Sequence, residues 1–379
     1  MKILLVGEYS RLHNSLKEGL IKLNHEVVII STGDGFKNYD SDFKIKNYFH
    51  KGFLAKFKVL LYKVTSFNIE SLFTYWQCKK IAKSFDYFDV VQYINETPFN
   101  ISLNFEKKII KLFNSKSKKN FFLACGTDYV SVKYAYDKKF RYSILTPYFY
   151  NNKNQKNYIH ILNKLSPSHI NLHNYIVKIT NGFISSDFDY HIPYYKTPKY
   201  LGMIPNPINC DKIAYIYPYV DNKLTIFHGI NTTNYTKKGN RFFEEALEII
   251  LKKYRDKIEV IQTKDVPYKE YINNYNNAHI LLDQVYAYDQ GYNALEAMAK
   301  GKVVFTGAEQ EWLEYYQIED NTVAINALPN TRQIVEKLEL LIENPKKVQL
   351  ISKNARDFIE KNHHYIKIAT QYVDTWNAN

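Results

Sequence analysis

The sequence predicts an α/β protein built as two doubly wound domains facing a central cleft. Three observations carry that expectation. Continuous apolar strand segments alternate with helical periodicity, the character changes between Tyr190 and Asn209, and a second α/β alternation follows. Uninterrupted apolar strands belong to parallel sheets covered on both faces. At roughly 150 residues per domain, 379 residues make two to three domains. No apolar run approaches the ~18–20 residues of a membrane span. The opening MKILLVGEYS is too short for a signal peptide and reads as a first strand. The three cysteines are far apart and odd in number, which argues against a disulfide scaffold or thiolate zinc site and favours a reducing cytoplasm.

In chain order, Lys2–Gly7 is the first strand, and Leu12, Leu16, Leu20 and Leu23 mark one face of a helix. His25–Ser31 is a second strand, so the first thirty residues make a right-handed βαβ unit. Further strands are expected at Asp89–Tyr93, Phe121–Cys125 and Gly182–Ser185, with a helix over Ile101–Phe113. Pro193, Pro198, Pro205 and Pro207 punctuate Tyr190–Asn209, which reads as an irregular connector. Strands at Leu224–His228, Ile258–Thr263, His279–Asp283 and Lys302–Thr306 then alternate with helices at Arg241–Lys253, Tyr268–Asn277 and Gly291–Lys300. Helices at Thr331–Glu343, Pro345–Lys361 and Tyr365–Trp376 close the chain. Ligands of such folds bind in the crevice beyond the carboxyl ends of the strands.

The net charge of +13 is uneven: residues 1–200 hold 30 Lys and Arg against 15 Asp and Glu, and the remainder 21 against 23. One half is therefore suited to an anionic surface, although a lysine-rich codon bias also raises the total. Only six of the cations are Arg, the usual bidentate reader of bases, which argues against nucleic acid as a partner. Lys51–Val64 sets Phe53, Leu54, Phe57, Leu60, Leu61 and Val64 on one stripe, with Lys51, Lys56, Lys58 and Lys63 flanking it or opposite. Such a helix either lies in a membrane interface or packs its stripe on its own domain.

Chemistry concentrates in two stretches of the second half. In Asp283–Gly301 a strand runs through a polar loop to Gly291 and a helix carrying Glu296. The free N–H groups of Gly291, Tyr292 and Asn293, with the helix dipole, make an anion site, and Glu296 lies one turn on, able to accept from sugar hydroxyls. The alternative for Glu296 is a solvated helix glutamate. In Ile226–Gly239, an Asn/Thr loop containing Asn231 leads to Lys237-Lys238-Gly239, where a lysine can balance the charge of a leaving diphosphate or simply lie on the surface. In the first half, Glu8, Ser10 and His13 follow the first strand and are expected at the cleft, with helix capping by Ser10 the alternative. Asp128, after Gly126-Thr127, is the candidate for orienting or deprotonating an acceptor hydroxyl, or else a helix cap. Asp187-Phe188-Asp189 has the form of a metal-binding D-x-D, a motif cheap enough to recur at Asp40-Ser41-Asp42.

Together the two stretches resemble the C-terminal domain of retaining nucleotide-sugar glycosyltransferases of the GT-B fold, the family that includes sucrose- and lipopolysaccharide-building enzymes. The residues carrying the resemblance are Lys238-Gly239 and Leu295-Glu296-Ala297-Met298-Ala299-Lys300-Gly301, with Val266-Pro267 and Ile204-Pro205-Asn206-Pro207 in support. The resemblance implies two Rossmann-like domains: an acceptor-binding domain over 1–206 with a returning helix over 365–379, and a nucleotide-sugar-binding domain over 207–364. It implies that Lys238 neutralises the donor diphosphate, that Glu296 holds the ribose and that the backbone at Val266 grips the base. It further implies transfer with retention, no metal and no cofactor, the nucleotide diphosphate sugar being the substrate. A saccharide acceptor, lipid-linked at the inner membrane face, and a role in cell-surface polysaccharide synthesis follow from the same likeness. Two departures stand out. Where the family has a glutamate eight residues before Glu296, this chain has Tyr288 followed by Asp289, and Asn231, Thr232 and Thr233 occupy the loop where an arginine often precedes the lysine. Nucleotide-sugar 2-epimerases share the architecture, and a non-catalytic nucleotide- or polyanion-binding protein is the alternative outside enzymes.

Overall fold

The structure, a computed structural model, describes residues 1–35, 38–150 and 156–379. Two parallel sheets lie on either side of the Pro205–Pro207 stretch. The first has seven strands in the order β3-β2-β1-β4-β5-β6-β7. These are β1 (Lys2–Val6), β2 (Glu26–Ser31), β3 (Phe43–Lys44), β4 (Phe88–Tyr93), β5 (Ser117–Ala124), β6 (Gly182–Ser185) and β7 (Tyr200–Met203). The second has five, in the order β12-β11-β10-β8-β9. They are β8 (Leu224–Ile230), β9 (Ile258–Lys264), β10 (Ile280–Leu282), β11 (Val303–Thr306) and β12 (Ile325–Asn326). The α/β class and the two doubly wound sheets are as the sequence predicts.

The central strands are buried over most of their length, Ile3 to Val6 and Ile280 to Leu282 without a break, because helices cover both faces. In both sheets the chain winds outward from a central strand to either side. The change of direction opens a crevice beyond the carboxyl ends of the strands. Gly7 leads into the first such loop, and Asp283, directly after β10, opens the facing one.

The connector expected over Tyr190–Asn209 is in part regular: it contains the end of the helix Phe188–Tyr194 and all of β7. Strand β7 has no period to read because it is a half-buried edge strand whose pairing with β6 is irregular between Phe183 and Ser185. The two-residue strands β3 and β12 also carry no pattern of their own. No helix among the described residues is long and apolar enough to cross a membrane.

Two strands of chain pass between the halves, and they are tied to each other. Ile208 N–H donates to His363 O at 2.7 Å, and Tyr365 N–H to Ile208 O at 3.1 Å. From there the helix Tyr365–Ala378 packs on the first sheet's side, against the helix Leu12–Lys22. A Cβ at Gly19 would come within 2.3 Å of Tyr365 O, so glycine is what lets the two helices cross this closely. Trp376 is fully buried, and its indole donates to Gln92 Oε1 at 3.2 Å.

Candidate functional site

The loop after β8 ends in a single helical turn, Tyr235–Lys238, stopped by Gly239 at φ +71°. A Cβ there would stand 2.3 Å from Val285, so both backbone geometry and space require glycine. Val285 N–H donates to Lys238 O at 3.0 Å, which fastens this turn to the loop after β10. The Lys238 ammonium consequently reaches Asp283 Oδ1 at 2.8 Å. The same oxygen accepts from Asn293 Nδ2 at 3.0 Å, and Asn293 Oδ1 accepts from Tyr271 OH at 2.9 Å. One buried carboxylate thus draws together the lysine and the first turn of the helix Tyr292–Ala299. That helix begins at Gly291 with no side-chain cap, and nothing lies within 4 Å of a Cβ placed there. Its first N–H groups have no intrahelical acceptor, the space where a Gly291 side chain would stand is open, and a cation lies alongside, an arrangement suited to anions.

Glu296 lies half-buried one turn into the same helix, and its charge acts on Lys300 and Tyr292. Val266 is half-buried just past β9, where Asp265 accepts from both the N–H and the hydroxyl of Thr232, tying the β8 and β9 loops together. Asn231 is committed to that loop, because its Oδ1 accepts from Thr233 N–H at 3.0 Å and caps a short turn.

Three of the expected donor contacts have different side-chain surroundings. Tyr288 is buried among Phe140 and Tyr142, at 4.9 and 5.5 Å, with the Arg141 guanidinium 4.8 Å over its ring. Its hydroxyl accepts from Arg141 N–H at 2.9 Å, and burial pushes its pKa up to about 12. An aromatic side chain can be covered this way where a glutamate would remain solvated, so Tyr288 joins the halves instead of reaching into the cleft. Asp289 is also buried and accepts from Phe188 N–H at 3.0 Å. Tyr292 offers its backbone to the anion site, while its ring packs toward the first half and its hydroxyl donates to Pro207 O at 2.7 Å. Arg141 completes the junction with bonds to Glu309 at 2.6 Å and Glu311 at 2.7 Å. Nothing in the sequence marked Arg141 or Glu309, because their spacing of 168 residues follows no local period.

Residues 232–374 match the sequence profile of the glycosyl transferase-like family. No curated protein sequence matches the chain significantly. Among solved structures, the chain is similar to a sucrose-phosphate synthase from Thermosynechococcus elongatus, at 10% identity and a TM-score of 0.63, covering 100% of this chain and 99% of that one. Anabaena Alr3699/HepE in complex with UDP-glucose follows at 11% identity and a TM-score of 0.59, with 100% of both chains covered. A glycosyltransferase from Rickettsia africae is 15% identical, with a TM-score of 0.54 and 99% and 97% coverage. At these identities the likeness is one of fold, and it spans both halves. The fold is GT-B.

On the N-terminal side of this GT-B cleft, the residues after β1 turn inward. His13 is fully buried, with Nδ1 on Gly7 O at 2.7 Å and Nε2 3.4 Å from the Gln92 amide. Burial lowers its pKa to about 4, so it is a neutral fastener beneath the sheet ends and does not meet a ligand. Ser10 does not cap the helix: it and Arg11 are left-handed, at φ 51° and 74°, and its N–H donates to Asp34 at 2.8 Å. Glu8 is buried, its Oε2 accepting from Asn14 N–H and Nδ2 at 2.9 and 2.6 Å while Oε1 has no partner. Burial pushes its pKa up to about 7. Asp128 is the N-cap of the helix Tyr129–Tyr136, accepting from Ser131 N–H at 2.8 Å and from Tyr194 OH at 3.0 Å. Both oxygens of this expected acceptor base are therefore spent on structure.

Two further groups stand near the cleft, one missed by sequence reasoning and one discounted by it. Near Asp128, Glu96 and His173 form a buried pair at 2.5 Å beside a cleft of about 680 Å³ lined by Thr97, Asn100, Thr127, Lys164 and His169. At the junction, Asp187, Asp189 and Asp289 bring carboxylate oxygens within 4.8 Å of one another. Asp189 belongs to the D-x-D dismissed as cheap, and its carboxylate accepts from Tyr288 N–H at 3.3 Å, so the Asp189 and Asp289 bonds form a reciprocal clasp. Burial raises all three, helped by the charge of Asp128 at Asp187, which reaches about 7, and by Asp187 at Asp189 and Asp289. Oxygen donors of this kind suit a hard divalent cation, and shared protons relieve the repulsion.

Proposed function

We propose that the chain is a glycosyltransferase that moves a sugar from a nucleoside diphosphate sugar to a saccharide acceptor carried on a lipid, at the cytoplasmic membrane face, in cell-surface polysaccharide synthesis. The observation that carries the reading is the meeting of Lys238 and the Gly291 helix start on Asp283, beside open space. As the bond from the sugar to the diphosphate breaks, negative charge grows on the leaving group. An ammonium already fixed by Asp283, and N–H groups already fixed by the helix, stabilise that charge without reorganising. These groups supply the electrophilic assistance, so the reaction as proposed needs no metal. Glu296, one turn along, accepts from the ribose hydroxyls, and the backbone at Val266 meets the base. Retention of anomeric configuration follows from the motif resemblance, as does the lipid-linked acceptor, which would enter over the N-terminal loops.

Replacing Lys238 or Glu296 by alanine is expected to lower turnover at least ~tenfold with the fold intact by circular dichroism; near-normal rates in both variants would overturn the assignment. Chelation is expected to leave the rate unchanged. A loss restored by magnesium or manganese would overturn the metal-free reading and direct attention to Asp187, Asp189 and Asp289.

One observation favours a second reading, a nucleotide-sugar 2-epimerase. The Glu96–His173 pair is a carboxylate-oriented imidazole of the kind proton abstraction requires. Release of nucleoside diphosphate only on addition of an acceptor saccharide excludes it.

A further inference from the structure

The helix Gly52–Thr65 buries none of its residues. Phe53, Phe57, Leu60 and Val64 recur at helical spacing and share one stripe, and all four are exposed. Phe53 is 79% exposed, Val64 76% and Leu60 62%. The half-buried positions are instead Ala55, Lys58 and Leu61, on another side of the helix. Lys58 reaches Glu70 at 2.6 Å and pins the helix to its neighbour, Ile69–Ala82. An amphipathic helix normally turns its apolar stripe to the core; this one is attached by its weaker side and presents the stripe outward. Lys56 and Lys63 are exposed along one flank of the stripe. Trp76, on the neighbouring helix, is exposed with Lys79, Lys80 and Lys83. Between Phe43 and Ser84 the chain carries nine lysines and a single acid, Glu70.

We infer that this helix is a membrane-docking element whose partner is an anionic lipid bilayer. The outward stripe has the chemistry of a surface that enters the boundary between headgroups and acyl chains, and the flanking ammonium groups lie at the height of lipid phosphates. A second copy of this chain would bring two lysine-rich surfaces together, so charge complementarity selects the lipid. The exposed tryptophan beside the patch suits the same boundary, where one edge of its ring is apolar and the other wet. The inference goes beyond the proposed transfer and stands without it, because it concerns a surface outside the donor site.

The test is flotation of the purified full chain with vesicles of phosphatidylcholine alone or mixed with phosphatidylglycerol. Binding is expected to the mixed vesicles at low salt, to weaken as salt rises, and to be much weaker to phosphatidylcholine alone. Two paired variants, Phe53→Ser with Leu60→Ser and Lys56→Glu with Lys63→Glu, are each expected to weaken binding at least ~tenfold while the circular dichroism spectrum and turnover on a soluble acceptor are kept. Absence of binding to the mixed vesicles at low salt, or binding indifferent to both pairs, overturns the inference. So does a dimer in the absence of lipid, seen by light scattering and abolished by the serine pair, which would assign the stripe to a second copy. Loss of turnover in Lys238→Ala with vesicle binding intact separates a failure here from a failure of the donor-site reading.

Discussion

Gly291 is a position where fold and ligand make opposite demands. Its φ of −77° suits any residue, and a side chain there would meet no protein atom within 4 Å. Aspartate is among the best helix N-caps, so Gly291→Asp should leave stability unchanged or raise it by a few tenths of a kcal/mol. The same carboxylate would stand where the proposed diphosphate docks and should weaken donor binding at least ~tenfold. Thermal unfolding and donor titration read the two effects separately; a variant that binds donor normally would remove the diphosphate from this helix start. Gly291 and Lys238 were legible in the sequence because glycine beside a helix start, and a lysine-glycine after a strand, announce geometry that is local. Asp128 is the helix cap that was one of its two sequence readings, whereas Tyr288 and His13 were not legible in the same way. Both follow a strand in the chain, but whether a side chain turns out or in depends on what packs over it. For Tyr288 that is Phe140 and Tyr142, nearly 150 residues away in the chain.

The helix Tyr365–Ala378 shows what periodicity reveals about an element and what it leaves out. Its apolar face over Tyr365, Ile368, Ala369, Tyr372 and Trp376 predicts a buried side, and those residues are the buried ones. Which body it covers was available only from resemblance. In the structure Gly19 fixes the partner, because only a bare Cα lets the helix Leu12–Lys22 approach Tyr365 this closely. Gln92 then joins the Trp376 indole on one side and His13 on the other, so the helix is also wired to the loop after β1. Trp376→Ala removes a fully buried indole and leaves the Gln92 oxygen without that donor. A cost of about 3–5 kcal/mol is expected, measured by denaturant titration. A cost below ~1 kcal/mol would mean that the returning helix is not part of the N-terminal core. Edge strands such as β7 escaped the sequence for the complementary reason: half-burial and irregular pairing leave no period to detect.

At the scale of the whole molecule, the two halves are joined by groups that oppose one another electrostatically. Phe188 donates to Asp289 and Tyr288 donates to Asp189, yet these bonds place three carboxylates within 4.8 Å. Burial first, and neighbouring charge after it, raises their pKa values, with Asp187 at about 7. The native state therefore holds protons that an unfolded chain gives up in the ordinary carboxylate range, near pH 4. Where the native state binds more protons, stability falls as pH rises. For Asp187 the fall runs from about pH 4 to about 7, and its full cost is present above that. Asp187→Asn never carries the charge, so its thermal midpoint should match the parent near pH 3, below the unfolded carboxylate range, and exceed it by a few degrees near pH 8. Equal pH slopes in the two proteins would show that Asp187 does not titrate across this window. Adding magnesium at pH 8 distinguishes the two ways of relieving the repulsion. A cation held by all three carboxylates raises the midpoint of the parent and not of Asp187→Asn, whereas a proton-sharing clasp leaves both unmoved. In the second case rising pH loosens the junction that ties the two halves together, over the same range in which the protein loses stability.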